Sequence, residues 1–242
     1  MSLYDKPVRL LFYDIVEDLG VSKGEVITRD QVYAWFNENY PKVKDGTVAA
    51  HLLKMSVNAP SRIHYKATPD DDLLYQIDSQ RFRRYEPAND PTPLYEEQEE
   101  MEEAPGDPEG AREFAYQQDL QNFLSKNLSL IEPGLPLYEE EGITGVEFPV
   151  GNRRIDILAL DAEENYVVVE LKVSRGYDRV VGQLLRYVAW IRQNQAEPGQ
   201  RVRGVIVARE ISDDLLLACS ELDNVSLYEY ELSVSLQRVT ID

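Results

Sequence analysis

Apolar residues in the first part of the chain recur at helical spacing in three segments. In residues 5–19 the repeat runs up to Gly20, a natural stop for a helix. A second helix is predicted to begin at Thr28, because Thr28 and Gln31 fit the capping-box pattern of a helix start. A third helix is predicted over residues 46–55. The chain is therefore expected to open with three helices.

Two strand-like runs follow these helices, RIHYK at 62–66 and LLYQI at 73–77, and they predict a two-stranded hairpin. Three helices and a hairpin, in this order, indicate a winged helix-turn-helix, a small α+β domain in which residues 42–54 would be the DNA-reading helix. The basic candidates for DNA contact are Lys42, Lys44, Lys54 and Arg62. Winged helices also bind proteins, so the sequence leaves both kinds of partner open.

The second half of the chain alternates between helical and strand-like spacing. Residues 113–128 predict an amphipathic helix, and residues 177–193 predict a longer one. Strands are predicted near residues 135–140, 146–150, 154–160, 166–172, 202–208, 226–230 and 235–239, with a helix at 212–220. This order predicts an α/β fold with a mixed sheet flanked by helices.

Acidic residues are concentrated between the two halves. Residues 86–112 combine Pro and Gly with a run of Glu, which is typical of an exposed linker and divides the chain into domains 1–88 and 113–242 around residues 89–112. A solvated spacer is the simpler interpretation, and a docking site for a basic partner is the alternative.

The formal net charge of −19 disfavours a nucleic-acid partner at first sight. Its distribution weakens that objection, because residues 1–88 hold 12 basic and 13 acidic groups while residues 89–112 hold 1 basic and 9 acidic. Residues 113–242 hold 12 basic and 22 acidic groups, so a nucleic-acid surface there has to be a local basic patch.

The composition also excludes some classes of site and location. The single cysteine, Cys219, can form neither an internal disulfide nor a thiolate zinc cluster. No stretch approaches the roughly 18 apolar residues that a membrane helix needs, and the N-terminus does not have the pattern of a signal peptide. We therefore expect a cytoplasmic protein with no membrane partner.

The sequence RIDILALDAEENYVVVELK contains two apolar runs around a turn and predicts an antiparallel hairpin. With Glu163 at the centre of the turn, Asp156 lies opposite Glu170. Directly opposed residues have β-carbons about 4.5 to 5.5 Å apart, and like charges at such positions are destabilising. Both acids lie in apolar runs, where an uncompensated carboxylate costs several kcal/mol. The hairpin therefore predicts two adjacent carboxylates that need a cation.

Lys172 lies two residues beyond Glu170 on the same strand face, and one amine cannot neutralise both acids. A divalent cation completes the charge balance. Carboxylate and water oxygens suit Mg²⁺ or Mn²⁺, and no nearby Cys or His cluster indicates zinc. A metal there would polarise a phosphoryl oxygen while Lys172 orients water or offsets charge at phosphorus, the combination that phosphodiester hydrolysis needs. The alternative is a structural Glu170–Lys172 ion pair with Asp156 merely solvated.

The helix that follows this hairpin carries polar residues along one stripe. Gln183 and Tyr187 are four residues apart, so they lie one above the other. A Gln amide and a Tyr hydroxyl can bind phosphate oxygens or a metal-bound water. The basic candidates for DNA contact in this half are Arg154, Arg175, Arg179 and Arg186. Core packing is the alternative for Tyr187 and the favoured interpretation for Trp190.

The motifs IDILALD, VVVELK and GQLLRY, in this order, resemble the PD-(D/E)xK nuclease superfamily and, more narrowly, the C-terminal domain of NucS-like endonucleases. The resemblance covers about residues 113–210. It implies a restriction-endonuclease-like fold and an active centre at the positions that match the family motifs, Asp156, Glu170, Lys172, Gln183 and Tyr187. It further implies metal-dependent cleavage of DNA, whether single-stranded, branched or duplex, and pairing of two chains in a homodimer.

One position departs from the family pattern. The family's first helix usually carries a Glu that helps to hold the metal; its place falls at Gln117, with Glu113 one turn earlier as a substitute. A neutral Gln weakens the case for a second metal. The N-terminal half does not resemble the amino-terminal domain of NucS itself, so mismatch specificity is not implied.

These observations predict a DNA endonuclease in repair or defence whose N-terminal domain contributes to substrate choice. Two alternatives remain at this point: a non-catalytic DNA-binding or assembly protein on a nuclease fold, and a ribonuclease.

Overall fold

A computed structural model describes residues 6–22, 24–95, 108–151, 153–176 and 179–231, with the side chains of 108–115 and 174–176 excepted. We call residues 6–95 the N-terminal region and residues 108–231 the C-terminal region. Across these described ranges no helix combines the length and apolar character needed to cross a membrane.

The N-terminal region folds as three helices with a three-stranded antiparallel sheet. The helices are Val8–Asp18 (α1), Arg29–Asn39 (α2) and Asp45–Lys54 (α3). The strands are Val26–Thr28 (β1), Leu74–Gln76 (β2) and Arg81–Arg84 (β3), in the order β1-β3-β2. The predicted capping box is present, because the Thr28 hydroxyl accepts from the Gln31 amide and the Gln31 side chain accepts from the Thr28 amide. The three predicted helices are confirmed.

The predicted strand at residues 62–66 is wrong. Pro60–His64 forms a 3-10 helix, which we call the 60–64 turn, and Arg62 and Tyr65 are both fully buried. Their spacing of three residues is the period of a 3-10 helix, which the apparent alternation of RIHYK concealed. The hairpin is formed instead by β2 and β3.

The C-terminal region is built on a mixed five-stranded sheet with the order β10-β9-β8-β7-β6. These strands are Val146–Val150 (β6), Arg153–Leu160 (β7), Tyr166–Gly176 (β8), Val202–Ile211 (β9) and Val225–Glu229 (β10). Glu139–Glu140 (β4) and Ile143–Thr144 (β5) form a separate hairpin. The helices are Pro108–Lys126 (α4), Arg179–Asn194 (α5) and Asp213–Cys219 (α6), and Leu128–Leu130 is a 3-10 turn.

Helices cover both faces of this sheet. Leu124 of α4 packs with Val167 and Val169 on one face. On the other face, Leu184 of α5 packs with Val168. Successive residues of β8 thus meet different helices, as the period of a strand requires. The predicted mixed sheet flanked by helices is confirmed, and the predicted strand at 235–239 lies outside the described residues.

Both described ends of the predicted linker belong to folded parts of the chain. Asp90 pairs with Arg83, and the Leu94 amide donates to the Val57 carbonyl at 2.8 Å, so the chain still packs on the N-terminal region there. At the other end, α4 begins at Pro108. Residues 96–107, which hold most of the Glu run, lie outside the described residues.

The predicted DNA-reading helix forms the contact between the two regions. Every α3 residue from Gly46 to Lys54 is buried, and α3 packs against β5, β6 and α5. Ala50 and Leu53 share one hydrophobic cluster with Phe148 of β6. Because its whole surface is covered, α3 cannot enter a DNA groove in this structure, and that prediction is wrong.

Two predicted DNA contacts, Lys54 and Arg62, are buried and serve as structural cations. Lys54 donates to the backbone carbonyl of Glu141 at 3.2 Å. Arg62 pairs with Asp72, and its guanidinium carbon lies 5.1 Å from the centre of the Tyr95 ring. Neither side chain is accessible to a phosphate, so both predictions are corrected.

Candidate functional site

Asp156 and Glu170 lie on neighbouring central strands, and we call them the acidic pair. The predicted register of β7 and β8 is confirmed by two observed pairs, Leu158↔Val168 and Leu160↔Tyr166. The same register, continued to the end of the hairpin, places Asp156 opposite Glu170. The pairing that the turn residues implied therefore brings the two carboxylates together.

The two acids have different partners. Asp156 Oδ2 accepts a hydrogen bond from the backbone N–H of Leu171 at 2.7 Å. Glu170 Oε1 accepts from Lys172 Nζ at 2.7 Å and from Gln183 Nε2 at 2.6 Å. Glu170 Oε2 is buried and has no hydrogen-bond partner among the described residues. A buried carboxylate oxygen without a partner is costly in a folded protein and needs an explanation.

Burial dominates the electrostatics of the acidic pair. Glu170 is 1% exposed. Burial raises its pKa above the ordinary value, the Asp156 carboxylate raises it further, and Lys172 lowers it. Burial also raises the pKa of Asp156, while the Leu171 N–H and the charge of Lys172 act in the opposite direction. Two acids that share one partial counter-charge favour binding a proton or a cation.

Helix α5 brings Gln183 and Tyr187 to the acidic pair. Besides Glu170, Gln183 Nε2 donates to the Tyr187 hydroxyl oxygen at 3.3 Å. Tyr187 is buried, and burial followed by the charge of Glu170 raises the pKa of its hydroxyl. Trp190 is partly buried at the edge of the core. The five residues of the implied active centre thus form one cluster.

Helix α4 closes the opposite side of the site with two glutamines. Gln117 lies beside Asp156, and its side chain lowers the pKa of that carboxyl group. The buried Gln121 donates to the Asp156 carbonyl at 2.8 Å and to Glu147 Oε1 at 3.1 Å. The side chain of Glu113 lies outside the described residues. The sequence analysis missed Gln121, whose signal was a polar residue on the helix face that packs against the sheet.

Glu147 is an acid at the site that the sequence analysis also missed. It lies on β6 at the register position of Asp156, and its φ of 53° is costly for a residue with a side chain. Its Oε2 accepts from Arg154 Nη1 at 2.9 Å. A charged residue inside the apolar run VEFPV was its only signal in the sequence. Surrounding contacts must hold this strained backbone, as often happens at functional sites.

The predicted basic contacts are dispersed. Those with exposed side chains are Arg154, Arg179, Arg186 and Lys42. Lys44 instead pairs with Glu197 of the C-terminal region at 2.9 Å. The side chain of Arg175 lies outside the described residues. Two of the exposed arginines, Arg179 and Arg186, therefore lie on α5, the helix that also carries Gln183.

The donor set of the acidic pair fits a hard divalent cation. It offers carboxylate oxygens, including the unpartnered Glu170 Oε2, and such oxygens suit Mg²⁺ or Mn²⁺ rather than zinc. Over the described residues, no three His, Cys, Asp or Glu side chains come together as a metal-binding group. A cation held by the pair would therefore take its other ligands from water or substrate, as Mg²⁺ commonly does.

Comparison with family models divides the chain at a similar place. Residues 116–228 match the Endonuclease NucS C-terminal domain, and residues 7–84 match a domain of unknown function, DUF7669. The first match contains the acidic pair and both residues that α5 brings to it. The second ends with β3.

Curated relatives match through the C-terminal region. Endonuclease NucS of Methanopyrus kandleri is 34% identical over 101 residues, which are 41% of this chain and 35% of that protein. Endonuclease NucS of Thermococcus kodakarensis is 35% identical over 96 residues, 39% of this chain and 34% of that protein. The chain thus spans about a third of the length of these relatives.

Two solved structures are also similar. A repair endonuclease from Pyrococcus abyssi matches with a TM-score of 0.39 and 25% identity over 55% of this chain and 49% of that chain. An EndoMS–dsDNA complex matches with a TM-score of 0.39 and 24% identity over 64% and 53%. The sequence matches show that the C-terminal region is similar to the Endonuclease NucS C-terminal domain and that the N-terminal region is similar to DUF7669.

Proposed function

We propose that this chain is a metal-dependent DNA endonuclease in which Asp156 and Glu170 hold Mg²⁺ or Mn²⁺. The observation that carries the proposal is Glu170, a buried carboxylate with Lys172 and Gln183 on one oxygen and, within the described part of the chain, no partner on the other. The name of the curated relatives, Endonuclease NucS, supports the same activity.

The reaction is the addition of water across a P–O bond of the DNA backbone. When bound, the metal supplies polarisation of a phosphoryl oxygen and a lowered pKa for its water. Lys172 holds a positive charge 2.7 Å from Glu170, beside the place where negative charge develops at phosphorus. Gln183 fixes the Glu170 carboxylate by its hydrogen bond, and the Leu171 N–H does the same for Asp156. These contacts orient the two acids before a substrate arrives.

The test is cleavage of labelled single-stranded, duplex and branched DNA, and of RNA of the same sequence, with Mg²⁺, Mn²⁺ or EDTA. The variants are Asp156→Ala and Lys172→Ala. Their matched controls are Asp223→Ala and Lys126→Ala, two exposed positions in the C-terminal region outside the cluster. We expect metal-dependent cleavage of DNA that both site variants lose by at least about a hundredfold and that both controls retain.

Cleavage that persists in EDTA, or that survives both site substitutions, contradicts the proposal. If RNA is cleaved in preference to DNA, the chain is a ribonuclease rather than a DNA endonuclease. The same preparations test the expected homodimer, since light scattering gives the mass of the particle that cleaves.

A non-catalytic DNA-binding or assembly protein is the second candidate. The observation that favours it is the neutral pair Gln117 and Gln121 on α4, where an acid would strengthen a metal site. DNA binding without cleavage under every metal condition, unchanged in Asp156→Ala, supports this candidate over the first.

A further inference from the structure

The 60–64 turn, which belongs to the N-terminal region, lies at the nuclease site. A pocket of about 220 Å³ opens beside Asp156. The C-terminal region supplies the walls formed by α4 and by strands β6 and β7. The remaining wall consists of Pro60, Ile63 and His64. The site is therefore completed by a part of the chain outside the NucS-like domain.

Buried contacts with the N-terminal region anchor the turn on the side away from the pocket. Arg62, at its centre, is fully buried and pairs with Asp72, and the Tyr95 ring stacks on its guanidinium group. The Tyr95 hydroxyl donates to the other oxygen of Asp72 at 2.6 Å. Because Arg62 points inward, its neighbour Ile63 is left half-buried at the pocket wall.

The turn and the two residues after it are also bonded to the β4–β5 hairpin and to β6, the strand that carries Glu147. The Thr144 hydroxyl donates to the His64 carbonyl at 2.8 Å, and the Lys66 amide donates to the Gly142 carbonyl at 3.1 Å. The Tyr65 hydroxyl donates to the carbonyl of Glu147 at 3.2 Å. Glu147 is the residue with a strained backbone opposite Asp156, so Tyr65 helps to hold that strain in place.

The pocket wall differs chemically from the rest of the site. The C-terminal walls present glutamine amides, two carboxylates and Arg154. The turn instead presents the apolar side chains of Pro60 and Ile63, with one imidazole. A nucleic-acid strand has both kinds of surface, because its phosphates are charged while its sugars and base faces are apolar. A strand whose phosphate lies at the acidic pair would turn a sugar or base toward this wall.

We propose that Ile63 and His64 contact the DNA strand beside the cleaved phosphate and that the N-terminal region selects substrates through this wall. The inference rests on the proposed nuclease function and deepens it. Because α3 is buried between the two regions, it is not available to read DNA. The N-terminal region would instead select a substrate through the contact of the DNA strand with the pocket wall. Tyr65 is a positioning residue that acts through Glu147.

The first test is photo-crosslinking in the full-length chain. Benzoylphenylalanine replaces Ile63 in one protein and Ile77 in the other; Ile77 is exposed at 40% and lies outside the pocket. Each is irradiated with labelled single-stranded or duplex DNA, in EDTA and in Mn²⁺. We expect a DNA crosslink at position 63 and none above background at position 77.

The second test is a kinetic comparison of Ile63→Ala, His64→Ala, Tyr65→Phe and the control Ile77→Ala. Ile63→Ala should raise KM for DNA about tenfold with kcat retained, since it removes apolar contact made in the bound state. Tyr65→Phe, which loses only the hydroxyl, should lower kcat with little change in KM. A residue with a merely structural role would not divide the two parameters in this way.

The outcomes separate the inference from the nuclease proposal. Crosslinking at position 63 without any cleavage keeps the wall contact and overturns the nuclease. Cleavage without a crosslink, and with equal KM values for Ile63→Ala and Ile77→Ala, overturns the inference alone. A chain that neither binds nor cuts DNA overturns both.

Discussion

Removal of the amine beside Glu170 should destabilise the metal-free protein in a pH-dependent way. The perturbation is Lys172→Met, which keeps the length of the side chain and deletes its charge. Two unit charges 2.7 Å apart attract by roughly 6 kcal/mol at an effective dielectric constant of about 20. Desolvation of the ammonium group offsets part of this, and leaving one member of a buried pair alone typically costs about 3 kcal/mol. We therefore expect a loss of about 3 kcal/mol where Glu170 is ionised.

The sign of the pH dependence follows from the raised pKa of Glu170. A carboxyl group whose pKa is higher in the folded state contributes stability at low pH, and that contribution is lost as the pH rises through the folded-state pKa. Deleting Lys172 raises this pKa further. The penalty of Lys172→Met should thus be largest near pH 8 and small near pH 5, where Glu170 carries a proton.

The assay is urea unfolding in EDTA near pH 5 and near pH 8, followed by tryptophan fluorescence. Lys126→Met, at the exposed end of α4, is the control and should cost less than about 1 kcal/mol at either pH. The double variant Glu170→Gln/Lys172→Met should recover most of the lost stability, since no charge is left unpaired. An equal penalty at both pH values, or a double variant no more stable than Lys172→Met, would refute the reasoning.

Two further predictions concern the contact between the regions. Burial lowers the pKa of His51 to about 4, so its contribution to stability is complete above an unfolded-state pKa of about 6.5 and is lost as the pH falls below it. The loss is at most about 3 kcal/mol, because the Glu141 carboxylate, 3.6 Å from His51 Nε2, attracts a charged imidazole ring. The free energy of unfolding of His51→Leu should therefore fall less steeply with decreasing pH than that of the wild-type protein. Equal slopes for the two proteins would contradict this. Trp35 lies in the N-terminal region and Trp190 on α5, so unfolding followed in Trp35→Phe and in Trp190→Phe should give coincident midpoints. If the two unfolding midpoints differ by more than the two substitutions themselves change the stability, the two regions unfold independently.

The elements of the site that follow local spacing rules could be predicted from the sequence. The register of β7 and β8 followed from the period of two in each strand and from the turn around Glu163. The position of Gln183 above Tyr187 followed from their four-residue spacing on a helix. Both depend on contacts within about 20 residues of chain, so the residues themselves contain the information.

The parts that failed depend on how different elements of the fold pack against one another. Nothing within α3 indicates that both of its faces are covered, because its second face packs on strands that lie some 90 residues later in the chain. Arg62 has the composition of a DNA contact, yet Asp72 and Tyr95 make it a buried anchor. The bend at Glu147 is a backbone property that its side chain does not encode. In each of these cases tertiary packing decided the outcome.

The central claim is that Asp156 and Glu170 share a divalent cation. The most direct measurement is anomalous X-ray scattering from crystals of the full chain grown with Mn²⁺, compared with crystals of Glu170→Gln. The account predicts a manganese peak within bonding distance of Glu170 Oε2 and of the Asp156 carboxylate in the wild-type protein, and its loss in the variant. A wild-type crystal with Mn²⁺ bound elsewhere and none at this pair would contradict the account.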